Sequence, residues 1–497
     1  MITETADAKM AVMIAEAEER LKMMNQEQAE ACIKKLESYM DSHEEEMLQD
    51  AMALISINSE KMQAQPGKPF GEGTARVFEE AQKILAGHGF PVKNYENYVL
   101  AADLNDGAPR LDILAHLDVV PAGEGFTVTE PFCPVVKDGR LYGRGSADDK
   151  GPAVAALYAM RAVKELGFSV TGNCRLILGA DEECGSSDIR YYFEREPHAP
   201  MTFSPDADFP VINLEKGGLH MTLEAEIPQQ PEGVRLVSAQ AGTKVNVVPG
   251  KARAVLSGMD GATLSELSSD VEKLTGVVFT MEQEADGIHL LAEGKPAHAA
   301  SPQMGNNALT ALLLLLSRVP FSSEELRTRF LRLTELFPHG DWRGAALGVD
   351  HEDALSGCLT LSLNLFSFDG KTLSASFDCR APLCANEENT GDVIRRRVRE
   401  AGFQADEQRM FEAHYVPEES ELVQVLLSCY TRVTGKEGKP VAIGGGTYVH
   451  HIPNGVAFGC ADPGVDNHMH GADEFMAVDQ MKKSAVIFAL AILELCR

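Results

Sequence analysis

The sequence lacks any long apolar run, although 44% of its 497 residues are hydrophobic. No window approaches the roughly 18 uninterrupted apolar residues that a bilayer-spanning helix needs, which excludes a transmembrane helix. The opening segment Met1–Thr5 is acidic and lacks the basic, apolar and small-residue order of a secretory signal. We therefore expect a cytoplasmic protein with no membrane partner.

The sequence is also poor in basic residues and in cysteine. The chain has only 45 Lys and Arg but 74 Asp and Glu, so its formal net charge is −29. A surface this acidic repels phosphate backbones and anionic lipid headgroups, which argues against nucleic acid and membranes as partners. The ten cysteines are scattered singly with no C-x-x-C pair, which predicts free thiols in a reducing compartment.

The order of predicted elements indicates two domains, one of which interrupts the other. Short apolar strands alternate with amphipathic helices before residue 217 and after residue 412, which is typical of an α/β sheet with helices on both faces. More polar, alternating strands fill the middle of the chain and indicate a separate α+β domain with one solvated sheet face. We predict a catalytic domain from 1–216 and 413–497, and an inserted domain at 217–412. The predicted helices are two within 8–57, broken near residues 24–26, and then 74–87, 152–166, 262–275, 306–318, 420–434 and 478–496; the predicted strands are 111–115, 174–179, 220–227, 252–256 and 456–460.

Acidic and histidine-bearing segments fall at or near the ends of predicted strands, where open α/β sheets place their ligands. They are His116-Leu117-Asp118, Asp148-Asp149, Asp181-Glu182-Glu183, Asp206-Ala207-Asp208 and His468-Met469-His470. Each segment, taken alone, also has a purely structural explanation. Asp148 or Asp149, for example, could simply cap the helix that follows. Together they form a mixed nitrogen and oxygen donor set suited to Zn²⁺ or Mn²⁺.

The three consecutive carboxylates at 181–183 are the hardest to explain as a solvated charge run. They follow directly on a buried apolar strand, and such a group repels itself unless a cation lies among it or one acid has a raised pKa. Either outcome serves a hydrolase, because one acid can bind a metal while its neighbour acts as a general base.

Six motifs taken in order resemble the dinuclear zinc metallopeptidase family of aminoacylases, carboxypeptidases and carnosinases, and within it the branch of the dipeptidase PepV. They are HLDVVP (116–121), GRLYGRGSADDKGP (139–152), GADEECGS (179–186), SPDADFP (204–210), GGGT (444–447) and MHGADE (469–474). The resemblance extends from about Leu54 to the C-terminus. It implies a phosphorylase/hydrolase-like catalytic domain with a central mixed sheet, interrupted by an α+β lid.

The resemblance also implies a set of metal ligands and a general base. Two Zn²⁺ per chain are expected, with Mn²⁺ or Co²⁺ as alternatives. The residues that would hold them are His116, Asp148, Glu183, Asp206 and His470, with Asp148 bridging the two ions. Asp118 would orient His116. Glu182 would take a proton from the metal-bridging water and deliver it to the leaving amine.

From the lid, the resemblance implies residues that contact the substrate. His298 would polarise the scissile carbonyl, and Asn246 and Arg380 would lie near the substrate's C-terminal carboxylate. Gly445 and Gly446 could present backbone N–H groups to the same carboxylate, although a Gly-rich stretch is also simply a flexible turn. A lid that opens and closes would need hinges near 214–218 and 410–415.

The function expected from this resemblance is hydrolysis of unblocked dipeptides, including the β-Ala-His type, by a dimetal-activated water. An N-acyl-amino-acid deacylase or desuccinylase of the same family remains an alternative. So does a non-catalytic metal- or peptide-binding relative, although such a protein would need neither Glu182 nor His298. Because a large lid can take the place of a dimer partner in this branch, a monomer is expected.

Overall fold

The computed structural model describes residues 24–497. In this part of the chain there are eleven α-helices: α1 (Gln26–Ser42), α2 (Glu44–Ile55), α3 (Glu72–Gly87), α4 (Lys150–Glu165), α5 (Ser187–Phe193), α6 (Gly261–Thr275), α7 (Ala308–Leu316), α8 (Glu324–Leu336), α9 (Asp392–Glu400), α10 (Glu421–Thr434) and α11 (Val478–Leu495). No helix among the described residues is long and apolar enough to cross a membrane.

The strands form several sheets. Up to residue 215 they are β1 (Val92–Tyr95), β2 (Val99–Asp103), β3 (Pro109–His116), β4 (Val135–Lys137), β5 (Arg140–Tyr142), β6 (Asn173–Gly179), β7 (Met201–Ser204), β8 (Ala207–Asp208) and β9 (Val211–Glu215). From residue 217 they are β10 (Gly217–Glu226), β11 (Arg235–Ala241), β12 (Val247–Val248), β13 (Lys251–Ser257), β14 (Val278–Gln283), β15 (Ile288–Glu293), β16 (Ala297–His298), β17 (Glu352–Asp353), β18 (Gly357–Cys358), β19 (Thr360–Phe368), β20 (Thr372–Ala381), β21 (Gln404–Ala405), β22 (His414–Tyr415), β23 (Pro440–Ile443), β24 (Gly455–Ala457), β25 (Cys460–Ala461) and β26 (Phe475–Ala477).

The chain divides into two compact units. The first unit comprises residues up to Leu214 together with 415–441 and 446–497, and the second comprises 215–414 and 442–445. The short segment 442–445 groups with the second unit, although the sequence pattern places it among the elements of the first.

The first unit is built on a mixed sheet in the order β1-β2-β6-β3-β7-β24-β9. Strand β3 is parallel to both β6 and β7, whereas β2 is antiparallel to β6. Crossovers that contain α4 and α5 connect these strands, which is the connectivity expected of parallel neighbours. The carboxyl ends of β3, β6 and β7 therefore lie at one edge of the sheet.

Alternating residues of the central strands bury both faces of this sheet. Ile113 and Leu176 pack into a large core with α4 and α11, while their neighbours Leu114 and Ile177 pack with Ile189 of α5 on the other face. Because both faces are covered, the sequences of these strands are continuously apolar and do not alternate between apolar and polar residues. The expected α/β sheet with helices on both faces is confirmed.

The second unit is an antiparallel sheet in the order β14-β15-β13-β11-β19-β20-β10-β21, with its own core. Along β13, Ala252 and Ala254 point into that core whereas Lys251 and Arg253 are exposed. The Leu-rich helix α7 is almost entirely buried against the same core. The predicted α+β unit with one solvated sheet face is therefore present.

Differences from the predicted elements occur in both units. Most of the first predicted helix lies outside the described residues; α1 begins at Gln26, with Asn25 as its cap. A break that the pattern does not predict separates α1 from α2 at His43, whose φ of −117° leaves the helical range. Helix α5 of the first unit and helices α8 and α9 of the second lie outside the predicted set, as do strands β1, β2, β7 and β9.

Candidate metal centre

Parallel strands bring the acidic segments together. His116 is the last residue of β3 and is paired in register with Gly179, the last residue of β6. The acidic turn 181–183 follows β6, and Asp206 lies two residues after β7. Since these strand ends lie at one edge of the sheet, segments far apart in sequence meet there.

The imidazole of His116 is completely buried and faces three carboxylates. Its Nδ1 lies 3.0 Å from the backbone oxygen of Asp118 and 3.3 Å from Oδ1 of the same residue. Its Nε2 lies 2.9 Å from Oδ1 of Asp148 and 3.6 Å from Oδ2 of Asp206. With Nδ1 turned toward Asp118, Nε2 is directed at the two other acids.

A second imidazole approaches the opposite oxygen of Asp148. Nε2 of His470 lies 2.7 Å from Oδ2 of Asp148 and 3.2 Å from Oε1 of Glu183. Each oxygen of Asp148 thus faces a different histidine, His116 on one side and His470 on the other. A carboxylate placed in this way could offer one oxygen to each of two ions.

The donor set fits divalent cations. Oδ1 of Asp149 is buried and accepts no hydrogen bond, so this polar atom has no partner in the protein alone. Ligand atoms of His116, Asp148 and Glu183 lie within 4.8 Å of one another, as do those of His116, Glu182 and Asp206. Imidazole nitrogens and carboxylate oxygens are donors that Zn²⁺ and Mn²⁺ accept.

The electrostatics of the cluster indicate the same need for positive charge. Burial and the charge of Asp148 raise the pKa of Asp206 to about 7. Burial opposes protonation of His470, but its hydrogen bonds to Asp148 and Glu183 outweigh this and raise its pKa to about 10. Several carboxylates share one site, so their mutual repulsion and burial favour a bound positive charge.

Glu182 lies in a short 3₁₀ turn, Glu182–Cys184, beside these donors. The backbone N–H groups of Glu182 and Glu183 each donate to the carboxylate of Asp118 at 3.2 Å. Asp118 therefore contacts both His116 and the acidic turn, and burial together with neighbouring carboxylates raises the pKa of Glu182. A carboxylate with a raised pKa next to candidate metal ligands can accept a proton near neutral pH.

Two acids in these segments have roles that sequence reasoning missed. Asp181 turns away from the cluster and forms an ion pair with Lys61, with Nζ and Oδ1 2.6 Å apart. Asp149 occupies the cap position of α4 but makes no capping hydrogen bond; its Oδ2 accepts from the backbone N–H of His116 at 3.0 Å. Neither contact has a local sequence signal, because both partners are distant in the chain.

Tyr448 and Asp188 connect the far side of His116 to the acidic turn. The ring of Tyr448 packs edge-on against the imidazole of His116, with centroids 6.2 Å apart and planes at 90°. Its hydroxyl donates to Asp188, which also accepts from the backbone N–H groups of Ala180 and Asp181 at 2.6 and 2.8 Å. Both side chains are buried.

Asp188 gives a testable pH dependence of stability. Burial and the charge of Asp118 raise its pKa from 3.8 to about 7. Between these values the folded state binds a proton that the unfolded state lacks, so stability falls as pH rises, by about 1.4 kcal/mol per pH unit. The parent should lose about 2–3 kcal/mol of unfolding free energy between pH 5 and 7 that Asp188→Asn does not lose, because asparagine does not titrate.

Denaturant titrations of both proteins, with bound metal held constant, measure this difference. The slope of unfolding free energy against pH reports the titration of Asp188. A constant offset between the two proteins reports the pH-independent destabilisation by an amide beside the N–H of Ile189, which donates to Asp188 at 2.7 Å. Parallel pH profiles for the two proteins would show that Asp188 is ionised throughout.

The second unit carries Asn246 and His298 close together. Strands β12 and β16 pair Val247 with His298, and the backbone N–H of Ala299 donates to the oxygen of Asn246 at 2.9 Å. The side chain of His298 is exposed, and its Nδ1 accepts from the N–H of Ala300 at 3.2 Å. A neutral imidazole that accepts at Nδ1 carries its proton on Nε2, so Nε2 is a donor.

Arg380 is held in a fixed orientation in the second unit. Its Nε and Nη2 both donate to the carboxylate of Asp378 at 2.7 Å, and its Nη1 donates to the backbone oxygen of Gly444 at 3.0 Å. Each terminal nitrogen has a second N–H beyond these contacts. Gly445 groups with the second unit and Gly446 with the first, and Thr447 caps the 3₁₀ turn that follows them.

A third group of potential ligands, formed by Glu284, Asp286 and His289, lies on the β14–β15 hairpin of the second unit. Its side chains are largely exposed, and His289 pairs with Asp286 at 2.8 Å. Exposed charges of this kind are satisfied by water and by one another.

A mixed α/β sheet whose strand ends gather a histidine and several carboxylates is typical of metal-dependent hydrolases. The chain belongs to peptidase family M20/M25/M40, whose profile matches residues 113–494. It is therefore a hydrolase acting on peptide bonds, and the predicted family is confirmed.

Individual relatives agree with this assignment over nearly the whole chain. A Beta-Ala-Xaa dipeptidase from Lactobacillus delbrueckii subsp. lactis is 35% identical over 470 residues, which cover 92% of this chain and 97% of the relative. Human carnosine dipeptidase 1 has a similar structure, with a TM-score of 0.57, 18% identity, and coverage of 93% of this chain and 98% of its own. The dipeptidase Dug1p from Saccharomyces cerevisiae gives a TM-score of 0.55, 13% identity, and coverage of 93% and 98%. The two structures support the predicted fold.

Proposed function

We propose that this protein is a metal-dependent dipeptidase that hydrolyses unblocked dipeptides, including those with an N-terminal β-amino acid. The observation that carries the proposal is the pairing of His116 and His470 with opposite oxygens of Asp148, beside Glu182. The relative named as a Beta-Ala-Xaa dipeptidase, which matches 92% of this chain, supports the choice of substrate.

In this proposal the first unit is the catalytic domain and the second is the lid, close to the predicted bounds of 217–412. His116, Asp148 and Asp206 would hold one ion, while Asp148, Glu183 and His470 would hold the other. When bound, two Zn²⁺ would polarise the substrate carbonyl and lower the pKa of a water. Asp118 orients His116 through contacts of 3.0 and 3.3 Å to its Nδ1.

Glu182 is the general base in the proposed reaction. A carboxylate oxygen of Glu182 accepts a proton from the attacking water and later delivers it to the nitrogen of the leaving amine. Its backbone N–H donates to Asp118, which helps to hold the turn from which the side chain extends. Burial favours the proton-bearing state that the second half of the reaction needs.

The residues of the lid would recognise the substrate and stabilise negative charge. His298 donates from Nε2 to the carbonyl oxygen as charge develops on it, consistent with its Nδ1 acting as an acceptor. Arg380, held by Asp378, donates to the terminal carboxylate of the substrate, with Asn246 and the N–H groups of Gly445 and Gly446 nearby. A carboxylate required at a fixed distance from the scissile bond limits substrates to very short peptides.

Removing the metal tests this function directly. We expect chelated protein to lose hydrolysis of β-Ala-His and Ala-Ala by more than about 10²-fold and to regain it on addition of Zn²⁺, Mn²⁺ or Co²⁺, because the ions supply charge that protein groups alone cannot. Release of free amino acid is measured across a panel of dipeptides, with N-acetyl amino acids and dipeptide amides as comparisons.

Each part of the panel has an interpretable result. Dipeptide amides should be poor substrates because they lack the carboxylate that Arg380 would bind. Activity on N-acetyl or N-succinyl substrates without activity on dipeptides would identify a deacylase of the same family instead. Metal binding without hydrolysis of either class would identify a non-catalytic relative.

A further inference from the structure

Beneath the bridging ligand lies a buried carboxylate that the proposed reaction does not use. Glu474 is completely buried and accepts from three backbone N–H groups: those of Gly145 at 3.1 Å, Ala147 at 2.8 Å and Asp148 at 3.2 Å. Its Oε2 also accepts from Nη1 of Arg144, which is 1% exposed. The backbone of the loop that carries Asp148 therefore wraps around one carboxylate.

The same ion pair reaches the loop that carries the second histidine. Nη2 of Arg144 donates to the backbone oxygen of Gly471 at 3.0 Å and to that of Ala122 at 3.2 Å. Gly471 follows His470 directly, and Glu474 itself is four residues beyond it. One buried pair thus contacts the chain next to Asp148 and the chain next to His470.

The histidine loop has a conformation that local preferences do not maintain. His468, His470 and Asp473 all have positive φ, between 56° and 62°, a backbone conformation in which residues other than glycine are rare. Contacts from outside must hold such a loop. Asp473 supplies one anchor by accepting from the N–H groups of Thr127 and Val128 at 2.7 and 2.9 Å, and Arg144 supplies the other.

We propose that Glu474 and Arg144 are positioning residues that set the separation of Asp148 and His470 and thereby the affinity for the second metal ion. This inference rests on the proposed metal centre. The pair touches neither ion nor substrate; it acts through the backbone of two loops. Outer contacts of this kind alter metal affinity by about 10- to 100-fold when they are removed.

The test compares Glu474→Gln with a matched variant, Asp112→Asn. Asp112 forms an equally buried pair with Arg175, at 2.6 and 2.7 Å, but lies four residues before His116 on β3. Both variants leave a buried arginine without its charged partner, so both should lower the melting temperature. We expect only Glu474→Gln to weaken Zn²⁺ binding, by about 10- to 100-fold for the weaker of two sites, measured by competition with a chromophoric zinc chelator.

A double variant, Arg144→Met with Glu474→Leu, keeps the inference testable if the single variant does not fold. Replacing a buried ion pair by apolar side chains of similar volume leaves no unpaired charge, so the double variant should be more stable than Glu474→Gln, although less stable than the parent because three backbone N–H groups lose their acceptor. Zn²⁺ affinity should stay low, because neither loop regains its hydrogen bonds.

The outcomes distinguish this inference from the function on which it rests. If the parent binds Zn²⁺ and the folded Glu474 variants bind it equally well, the pair is merely structural and the positioning role is wrong. An equal loss of affinity in Asp112→Asn would also overturn it. If the parent itself binds no Zn²⁺, the proposed metal centre fails, and the positioning role fails with it.

Discussion

Replacing Glu182 with glutamine is expected to lower kcat for dipeptide hydrolysis by about 10³-fold while leaving both metal ions bound. The amide has nearly the same shape but cannot accept a proton from water, and general-base catalysis contributes about 10² to 10⁴ to such rates. The variant loses both proton transfers, since the same carboxylate would also protonate the leaving amine. Steady-state rates and metal content measured on the same preparations check the prediction.

Metal content decides between two roles that the geometry allows for this side chain. A carboxylate oxygen of Glu182 lies within 4.8 Å of ligand atoms of His116 and Asp206, close enough for Glu182 to be a ligand itself. A general base leaves two ions in Glu182→Gln, whereas a ligand leaves fewer. If the variant loses one ion as well as its activity, Glu182 is a metal ligand rather than the general base.

A nearby glutamate provides the control for the substitution itself. Glu194, after α5, has a side chain that is 72% exposed. Glu194→Gln removes the same charge from the same unit, so its kcat should stay within about twofold of the parent, as surface changes usually do. A Glu182→Gln enzyme with the parent's rate and metal content would show that the reaction needs no base at this position.

Much of the first unit could be predicted because its signals are local. A single segment of sequence is enough to predict each of β3 and β6, from its apolar run, and α4, from its Ala-rich pattern. The order strand, helix, strand then implies parallel strands. Parallel strands then bring His116, the 181–183 turn and Asp206 to one edge. Asp181 pairs with Lys61, a contact that the sequence pattern does not predict, and a metal ion beside the other two acids stays a prediction.

The supporting contacts could not be predicted, because they join residues that are distant in sequence. Glu474 and Arg144 are separated by 330 positions and Tyr448 and Asp188 by 260, and no spacing rule relates such pairs. Glu474 stands inside a motif recognised for His470, yet its burial and its backbone donors appear only when the two loops fold together. Sequence patterns identify ligands by residue type, whereas the groups that orient ligands depend on tertiary packing.

Replacing His298 with alanine is expected to lower kcat by about 10² to 10³, with little change in KM. Removing one oxyanion donor costs about 3–4 kcal/mol in the transition state, and the ground-state carbonyl binds that donor only weakly. Because β16 pairs with β12 through its backbone, the variant should still fold. Rates across a dipeptide concentration series, with metal content as a check, measure the effect.

The matched control is His289→Ala, another histidine of the second unit, whose ring pairs with Asp286 on the surface of the sheet. It should retain the parent's kcat, because no role in the reaction is assigned to it. A His298→Ala enzyme with the parent's kcat would exclude His298 from the reaction.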